Sequence, residues 1–386
     1  MMKKILSKIN VPLLLLMIVY SIFGLIMIFS ASSVTAVQRY GYSSNHFFII
    51  QLISLILAYL AGFIVLLVPT KWYKWLSYGA MALIIAFLSF VLVAGAIAGG
   101  ARSWFEVGKF NFQPTEYAKV ILIIFMAVYY NEVSQKKKVN FIKLIIPLIV
   151  AGALFILIAI QPDLGGALII AIITALIFFS IPYGKRIKSN IIKTVLIGGG
   201  GLLGIALLLG VTVVQPYQIK RIFEFTKPCE RYTDESGYQV CNGYIAIRNG
   251  GLGGVGLGES TQKYSYLPEA HTDFIFPIIC EELGAVIGII VVIGYGFILY
   301  QLLSVAKSTY NLKNSILCYG IFTYVATHIL VNLLGVLGLM PLTGVPLPFL
   351  SYGGSYNICL IVSLFIVHRV NIENKLEKNK QLIKNL

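Results

Sequence analysis

A group of ionisable side chains stands directly before a long apolar run in the stretch YLPEAHTDFIF, residues 266–276. Glu269, His271 and Asp273 crowd together there. A single carboxylate at the mouth of an apolar helix can act as a general base, because desolvation raises its pKa towards the working pH. The positive end of the helix lowers that pKa, so the net direction stays open. The structural alternative is that Thr272 or Asp273 caps the helix.

Two further carboxylates, Glu281 and Glu282, follow in the same apolar run. On a helix they lie about 12 Å deeper than Asp273, too far to act with it as two carboxylates at one bond. His271 is a candidate base or ligand, but the other histidines are distant in sequence and no metal cluster is predicted. The segment GGS at 353–355 is not a nucleophile elbow of the hydrolase type.

Polar residues also interrupt apolar sequence at 100–119 (GARSWFEVGKFNFQPTEYAK), 161–168 (QPDLGGAL) and 341–355 (PLTGVPLPFLSYGGS). Polar groups against hydrocarbon are costly and by default mark a functional site. In the first stretch, Glu116 and Lys119 are three residues apart and share a helix face. This pair is either a buried ion pair that orients the bundle or a part of the active cavity.

The glycine-rich stretch IAIRNGGLGGVGLGES contains Gly251, Gly253 and Gly256, which formally match GxGxxG. A dinucleotide site needs a strand before that motif and a helix after it, and neither is predicted. A P-loop would need GK[ST], which is absent from the stretch. The sequence favours a flexible loop, and the alternative is a loop whose backbone N–H groups approach a phosphate.

The elements that must position these residues are membrane helices. The chain of 386 residues is 58% hydrophobic and 12% charged, with a mean hydropathy of +0.86, far from the composition of soluble domains. About 20 apolar residues cross the bilayer core. The first such run has a basic flank but is too long for a signal peptide. The sequence predicts ten spans, near residues 11–33, 47–68, 75–98, 115–131, 141–160, 164–183, 192–213, 274–304, 315–340 and 350–368.

The charge distribution predicts the orientation of this all-α membrane protein. With both termini cytoplasmic, most Lys and Arg residues fall on the inner side, accompanied only by Glu132, Glu373 and Glu377. The net charge of +15 then faces anionic lipid, and nucleic acid is not an expected partner. All four polar stretches open outwards. We expect one integral domain, 1–386, with a cytoplasmic N-terminus at 1–10, a large extracellular loop at 214–273 and a cytoplasmic, solvated tail at 369–386.

The five cysteines divide into two groups. Cys280, Cys318 and Cys359 fall within predicted spans, where a cysteine acts as a small apolar residue. Cys229 and Cys241 both lie in the predicted extracellular loop, where a disulfide can persist, so they are a disulfide candidate. Their spacing is not that of a zinc site.

Several long motifs occur in an order that resembles the SEDS family, the bacterial shape, elongation, division and sporulation proteins that include FtsW and RodA. The motifs are GARSWFEVGKFNFQPTEYAK, QPDLGGAL, PYQIKRIFEF, GGLGGVGLGESTQKYSYLPEAHTDFIFPIICEELG and GLMPLTGVPLPFLSYGGS. The resemblance is closer to FtsW than to RodA. It implies a ten-helix peptidoglycan glycosyltransferase that polymerises lipid II at the outer face of the plasma membrane during cell division. Roles in elongation or sporulation, or in lipid II transport, are the alternatives.

The resemblance also implies roles for individual residues. The essential aspartate of the family's HTDF motif falls on Asp273, which would act as the general base. The outer or cavity-facing cations, which would neutralise the leaving diphosphate, are Arg102, Lys119, Arg248 and Lys263. The full set of expected substrate-binding residues is Arg102, Glu116, Lys119, Asp163, Arg248, Lys263, Glu269, His271, Ser351 and Ser355.

The family further implies a class B penicillin-binding protein, a transpeptidase, as partner, together with septal division proteins. No nucleotide is needed because the donor is already activated. A divalent cation, Mg²⁺ or Mn²⁺, is a further candidate, although no metal ligands are assigned. The sequence departs from the family pattern at Thr115, a tolerable hydroxyl swap, and at His328. It also departs at Asn242 and Gly243, which leaves the shape of the outer loop open.

Overall fold

The computed structural model describes residues 7–98, 101–107, 110–136, 141–184, 187–196, 225, 227–232, 235–264, 266–268 and 270–384. Its longer helices are α1 (Val11–Gln38), α2 (His46–Leu67), α3 (Tyr73–Ala94), α4 (Pro114–Ser134), α5 (Phe141–Ile160), α6 (Leu164–Ser180), α7 (Glu235–Gly250), α8 (Ile275–Lys307), α9 (Leu312–Val336) and α10 (Gly354–Lys384). Two 3₁₀ turns, Thr70–Trp72 and Pro228–Arg231, and three short strands are also described, and residues 187–196 are helical.

The predicted spans coincide with apolar helices, apart from the seventh. Eight of the described helices are long and apolar enough to cross a membrane, and α6 is apolar but shorter, at 17 residues. Of the seventh predicted span, 192–213, only the part up to residue 196 is described, and that part is helical. The chain is therefore a multi-pass helical membrane protein, as its composition predicts.

The helices differ in how much of their surface other helices cover. In the most apolar window of each, 89% of the residues of α10, 72% of α9 and 61% of α4 are buried, against 28% for α3, α5 and α8. The weakly buried helices turn large apolar side chains outwards, as lipid-facing helices do. The centre of the bundle is thus formed by the helices that carry Glu116, His328 and Ser355.

A small antiparallel sheet, which the sequence analysis did not predict, connects α3 to α4. Strand β1 (Ala96–Ala98) pairs with β2 (Ala101–Val107), and β2 pairs with β3 (Phe110–Phe112). Rings hold the sheet to the helix ends: Phe105 stacks on Phe90 at 5.6 Å, and Phe112 lies 4.7 Å from Tyr117. The sheet places the start of α4 directly beneath it.

The helix α8 is interrupted at Gly284, where the backbone adopts φ 86° and ψ 164°. The glycine-rich segment 250–256 fills the interruption, and Gly254 has a φ of 81°. A side chain at Gly254 would collide with the carbonyl of Glu282, and one at Gly284 with the carbonyl of Leu252. The expectation of a flexible loop was therefore wrong, because this stretch is packed against α8.

The helix α10 continues beyond the predicted membrane span. We expected a solvated tail at 369–386, but the chain is helical to Lys384 and its first residues pack against the bundle. Asn371 donates to the carbonyl of Lys8 at 2.8 Å, and Asn374 donates to Thr309 at 2.7 Å. Positions 375–381 are exposed, as expected for a solvated tail.

A hydrogen-bonded cluster around Glu373 anchors this part of α10. Glu373 accepts hydrogen bonds from the backbone N–H of Thr70 at 2.9 Å, the Thr70 hydroxyl at 2.6 Å and Asn314 at 3.1 Å. Arg369 completes the set, with its Nε 3.0 Å from Glu373. The cluster ties α10 to the connection between α2 and α3 and to the start of α9.

The disulfide candidate forms a bond in the structure. Cys229, in the 3₁₀ turn Pro228–Arg231, is bonded to Cys241 in α7, with the Cα atoms 5.0 Å apart. The bond joins the turn Pro228–Arg231 to α7, and both lie within the predicted large loop. Cys280, Cys318 and Cys359 are buried free thiols.

Candidate functional site

Asp273 lies in the turn directly before α8 and is 7% exposed. Its Oδ1 accepts a hydrogen bond from the hydroxyl of Thr272 at 3.1 Å. The N-cap residue of α8 is Phe274, and it makes no side-chain capping bond. The structural alternative, in which Thr272 or Asp273 is the N-cap, was therefore wrong.

The backbone around Asp273 is held from two sides. Asn332, on α9, donates through its amide nitrogen to the carbonyl oxygens of Asp273 and Val345, both at 2.8 Å. On the other side, the N–H of Tyr352 donates to the carbonyl of His271 at 2.9 Å. Sequence reasoning did not select Asn332, although an amide inside an apolar span is the signal that would have found it.

The connection between α9 and α10 forms the wall opposite Asp273. A Cβ placed on Gly344 would lie 3.9 Å from Asp273 Oδ2, so this backbone faces the carboxylate. The N–H of Leu347 donates to the hydroxyl of Ser351 at 2.8 Å. Tyr295 donates to the carbonyl of Pro348 at 2.6 Å. The wall is therefore fixed by its own hydrogen bonds and by α8.

The two predicted serines, Ser351 and Ser355, form hydrogen bonds with backbone groups around the site. Ser351 is fully buried and closes the loop through Leu347, so it is not presented to a substrate. Ser355 donates to the carbonyl of Asn111 at 2.8 Å and accepts from the N–H of Gln113 at 3.1 Å. It therefore joins the start of α10 to the start of α4.

Glu116 and Lys119 form a buried ion pair on α4. Lys119 Nζ lies 2.7 Å from Glu116 Oε1 and 3.3 Å from His328 Nε2 on α9. The other ring nitrogen of His328 lies 3.3 Å from the carbonyl oxygen of Pro346. His328 and Asn332 are one turn apart on α9, so that helix brings Lys119 and the Asp273 turn to the same end of the bundle.

Of three other predicted residues, the side chain of Asp163 is described, whereas the side chain of Arg102 and the whole of Glu269 lie outside the described part of the chain. Asp163 is the N-cap of α6 and accepts from the N–H of Gly166 at 2.8 Å. Arg102 lies in β2 opposite Ile97, and its side chain is outside the described part. Glu269 is likewise outside the described residues.

Two predicted diphosphate ligands have unequal positions. Arg248 is exposed near the end of α7. Lys263 is buried, with Nζ 2.9 Å from Glu282 Oε1 and 3.3 Å from the hydroxyl of Ser30. The charge of Lys263, like that of Lys119, is therefore already paired with a carboxylate within the protein.

The carboxylates of Glu281 and Glu282 do not join the site either. Glu281 accepts from Thr261 at 3.0 Å, from Asn249 at 3.1 Å and from the hydroxyl of Ser260. The prediction that these residues do not act together with Asp273 agrees with this arrangement. What the sequence analysis missed is that both anchor the large loop.

His271 is buried two residues before Asp273. Its ring lies 4.5 Å from that of Phe47 and 5.6 Å from that of Tyr352. Burial, together with the smaller effect of the nearby charge of Arg39, lowers the pKa of His271 to about 4. The imidazole is therefore neutral near pH 7 and packs against the two rings, so it does not form a cationic subsite.

Within the described ranges, no three His, Cys, Asp or Glu side chains come together in a way that would hold a metal ion. The chain therefore offers no protein cage for the candidate divalent cation there.

These features define a class of protein: a polytopic helical membrane protein with buried ionisable residues on its central helices. The FtsW, RodA and SpoVE family model, described as cell cycle protein, matches residues 11–376. The chain belongs to this family.

Individual relatives are similar in sequence to this chain over 90% or more of its length. It is 36% identical to the probable peptidoglycan glycosyltransferase FtsW of Bacillus subtilis (strain 168), with 99% of this chain and 95% of the relative covered. It is 34% identical to the stage V sporulation protein E of the same organism, over 90% and 93% of the two chains.

Solved structures show the same architecture. A chain of a peptidoglycan synthase complex, described as structurally coordinating polymerisation and crosslinking, matches with a TM-score of 0.72 at 25% identity, over 95% of this chain and 98% of that one. The rod shape determining protein RodA of Thermus thermophilus matches with a TM-score of 0.66 at 25% identity, over 94% and 96%.

Proposed function

We propose that the protein is a peptidoglycan glycosyltransferase that polymerises lipid II at the outer face of the plasma membrane during cell division. The observation that carries this proposal is the placement of one buried carboxylate, Asp273, at the same end of the bundle as the Glu116–Lys119 pair. The similarity to proteins named FtsW supports the reaction class and the division role.

Asp273 acts as the general base of the reaction. It removes the proton from the 4-hydroxyl of an acceptor GlcNAc as that oxygen attacks the anomeric carbon of a lipid-linked MurNAc. A new glycosidic C–O bond forms, and the bond from the anomeric carbon to the diphosphate oxygen breaks. Undecaprenyl diphosphate leaves with the bonding electron pair, and Asp273 later returns the proton to solvent.

The leaving diphosphate needs positive charge, which an ordered low-dielectric site supplies at little reorganisation cost. Lys119 is the best-placed cation among the described residues, because it lies at the centre of the bundle and is oriented by Glu116 and His328. Arg102 and the exposed Arg248 are the further candidates. The lipid-facing helices account for a substrate with a polyprenyl tail, which stays in the bilayer.

A class B penicillin-binding protein is the proposed partner, since the structural match is to a chain of a complex described as coordinating polymerisation with crosslinking. Septal division proteins would join that pair. A divalent cation could accompany the diphosphate, but no step above requires one. Imaging a tagged copy tests the division role: we expect the septum, and the sidewall would indicate elongation.

Purified protein supplied with fluorescent lipid II, with and without the partner transpeptidase, tests the reaction. We expect glycan polymer from the wild-type protein and none from the Asp273→Ala variant, with both proteins folded. Movement of lipid II across a vesicle membrane without polymer would instead identify a transporter. Normal growth and division of an Asp273→Ala strain would identify a scaffold.

A further inference from the structure

Asp273 is attached to the shorter part of an interrupted helix. The regular backbone of α8 breaks at Gly284, so residues 275–283 form a separate segment, about 13 Å long, with Asp273 at its tip. A continuous helix would fix the direction of that segment through its own backbone bonds. Here the contacts at the break must do so.

The glycine-rich loop replaces the helix's own backbone partners at the break. In a regular helix the carbonyl of Glu281 would accept from the N–H of Ala285. Instead it accepts from the N–H of Val255, and Ala285 donates to the carbonyl of Gly251, both at 2.9 Å. The N–H of Gly256 donates to the carbonyl of Glu282, also at 2.9 Å. The loop therefore supplies the backbone hydrogen-bond partners that the helix lacks at the break.

An ion pair holds this joint from the side. Glu282 is fully buried, and both its oxygens lie 2.7 Å from the hydroxyl of Ser30 on α1. Lys263 Nζ lies 2.9 Å from Glu282 and also donates to the carbonyl of Gly258. One lysine thus connects the loop, the Asp273 segment and α1.

We propose that Lys263 and Glu282 are positioning residues for Asp273, which act by fixing segment 275–283 against the loop and α1. Because the activity in question is the proposed polymerisation, this inference rests on the proposed function. A base that is misplaced by about 1 Å can lose about a hundredfold in rate. The pair therefore controls catalysis without touching the substrate.

This role makes a kinetic prediction that differs from substrate binding. For Lys263→Met and Glu282→Gln we expect turnover to fall about tenfold or more, with the KM for lipid II within about twofold of wild type. Lys307→Met, an exposed lysine at the other end of the same helix, is the matched control and should leave both values unchanged. Gly284→Ala should give the same signature by a different route, since its Cβ meets the carbonyl of Leu252.

Hydrogen exchange by mass spectrometry gives a readout that does not depend on activity. We expect faster amide exchange in 250–260 and 281–290 for Lys263→Met, Glu282→Gln and Gly284→Ala, with unchanged exchange in α4. Unaltered exchange at the joint would overturn the proposal. A global rise in exchange would also overturn it, because the pair would then serve general stability.

The kinetic outcomes discriminate further. A raised KM with unchanged turnover would overturn the proposal and make Lys263 a direct substrate ligand. Turnover within twofold of wild type in Lys263→Met and Glu282→Gln would overturn it as well. If the wild-type protein forms no polymer, the proposed function fails, whereas the exchange measurement still decides whether the pair fixes the segment that carries Asp273.

Discussion

Carboxylates with hydrogen-bond partners lie at both ends of the helix bundle, and their surroundings differ: Glu116 is buried, whereas Glu373 is partly exposed. Glu373 accepts hydrogen bonds from the backbone and hydroxyl of Thr70, from Asn314 and from Arg369, so both of its oxygens are engaged. Glu116 uses Oε1 to bind Lys119, while its Oε2 has no hydrogen-bond partner among the residues that the structure describes.

The difference separates a structural cluster from a site with capacity for chemistry. A carboxylate whose oxygens are all engaged can anchor helices but has little left for a ligand. A buried oxygen without a partner is costly and is retained where function requires it. Glu116 therefore keeps one oxygen that can accept a further hydrogen bond, whereas both oxygens of Glu373 are already engaged.

Neutralising the ion pair at each end tests the comparison most strongly. In the double variant Glu116→Gln/Lys119→Met we expect turnover to fall about a hundredfold to a thousandfold, because the variant loses the charge that we propose stabilises the leaving diphosphate. Removing both partners leaves no unpaired buried charge, so the unfolding free energy should change by about 1 kcal/mol or less. Steady-state polymerisation and thermal unfolding in detergent measure the two effects.

The matched control is Arg369→Met/Glu373→Gln at the other end of α10. We expect its turnover per folded molecule to stay within twofold of wild type, since that cluster lies away from Asp273. Equal losses of turnover from the two double variants would contradict the assignment of chemistry to one end of the bundle and of helix anchoring to the other.

The pH dependence of stability sharpens the comparison at the Asp273 end. The pKa of His271 is lowered from 6.5 to about 4, so the unfolded chain takes up a proton before the folded protein does as the pH falls. Stability from this residue is complete above pH 6.5 and declines towards pH 4, by about 3 kcal/mol in all. Denaturant unfolding of the wild type and of His271→Phe should diverge in that window only. Parallel curves would contradict the burial of a neutral imidazole.

Glu373→Ala should affect stability and spare chemistry. It removes the acceptor for four hydrogen bonds, one of them from a charged group. We expect a loss of about 2 to 3 kcal/mol in unfolding free energy, with turnover per folded molecule unchanged. Chemical denaturation and the polymerisation assay provide the two numbers, and a selective loss of turnover would reverse the roles assigned to the two ends.

The disulfide should give the smallest effect. The bond joins cysteines that are 12 residues apart in sequence. Closing a loop of this length contributes about 2 to 3 kcal/mol. We expect the double variant Cys229→Ser/Cys241→Ser to unfold at a lower temperature and to keep its turnover. A strong loss of polymer would instead connect the large loop to the site.

The membrane architecture and the catalytic candidate could be predicted from the sequence, because both leave strong local signals. Apolar runs longer than the bilayer core identify the spans. Asp273 and the Glu116–Lys119 pair stand out as charges beside hydrocarbon, where each needs a reason. The ion pair is present at 2.7 Å. The choice between an orienting pair and a catalytic one depends on what faces it across the bundle.

The remaining features depend on contacts between distant segments. The interruption at Gly284 is invisible in a helical pattern, because Gly is common in membrane helices and the loop that fills the break precedes it by about thirty positions. Lys263 looks like an available cation until its contacts with Glu282, 19 positions further along, and with Ser30 in the first span are known. The buried part of the tail, such as Asn374, reads as solvated because its partners are likewise remote in sequence.

The most direct measurement is polymerisation of lipid II by the purified Asp273→Asn variant with its partner transpeptidase. Asparagine keeps the size of the side chain and leaves the bond from Asn332 to the backbone in place, but it cannot accept the proton. A positioned base contributes about a hundredfold to ten-thousandfold, so we expect turnover to fall by that factor in a protein that unfolds at the wild-type temperature. Wild-type turnover in this variant would contradict the assignment of Asp273 as the base.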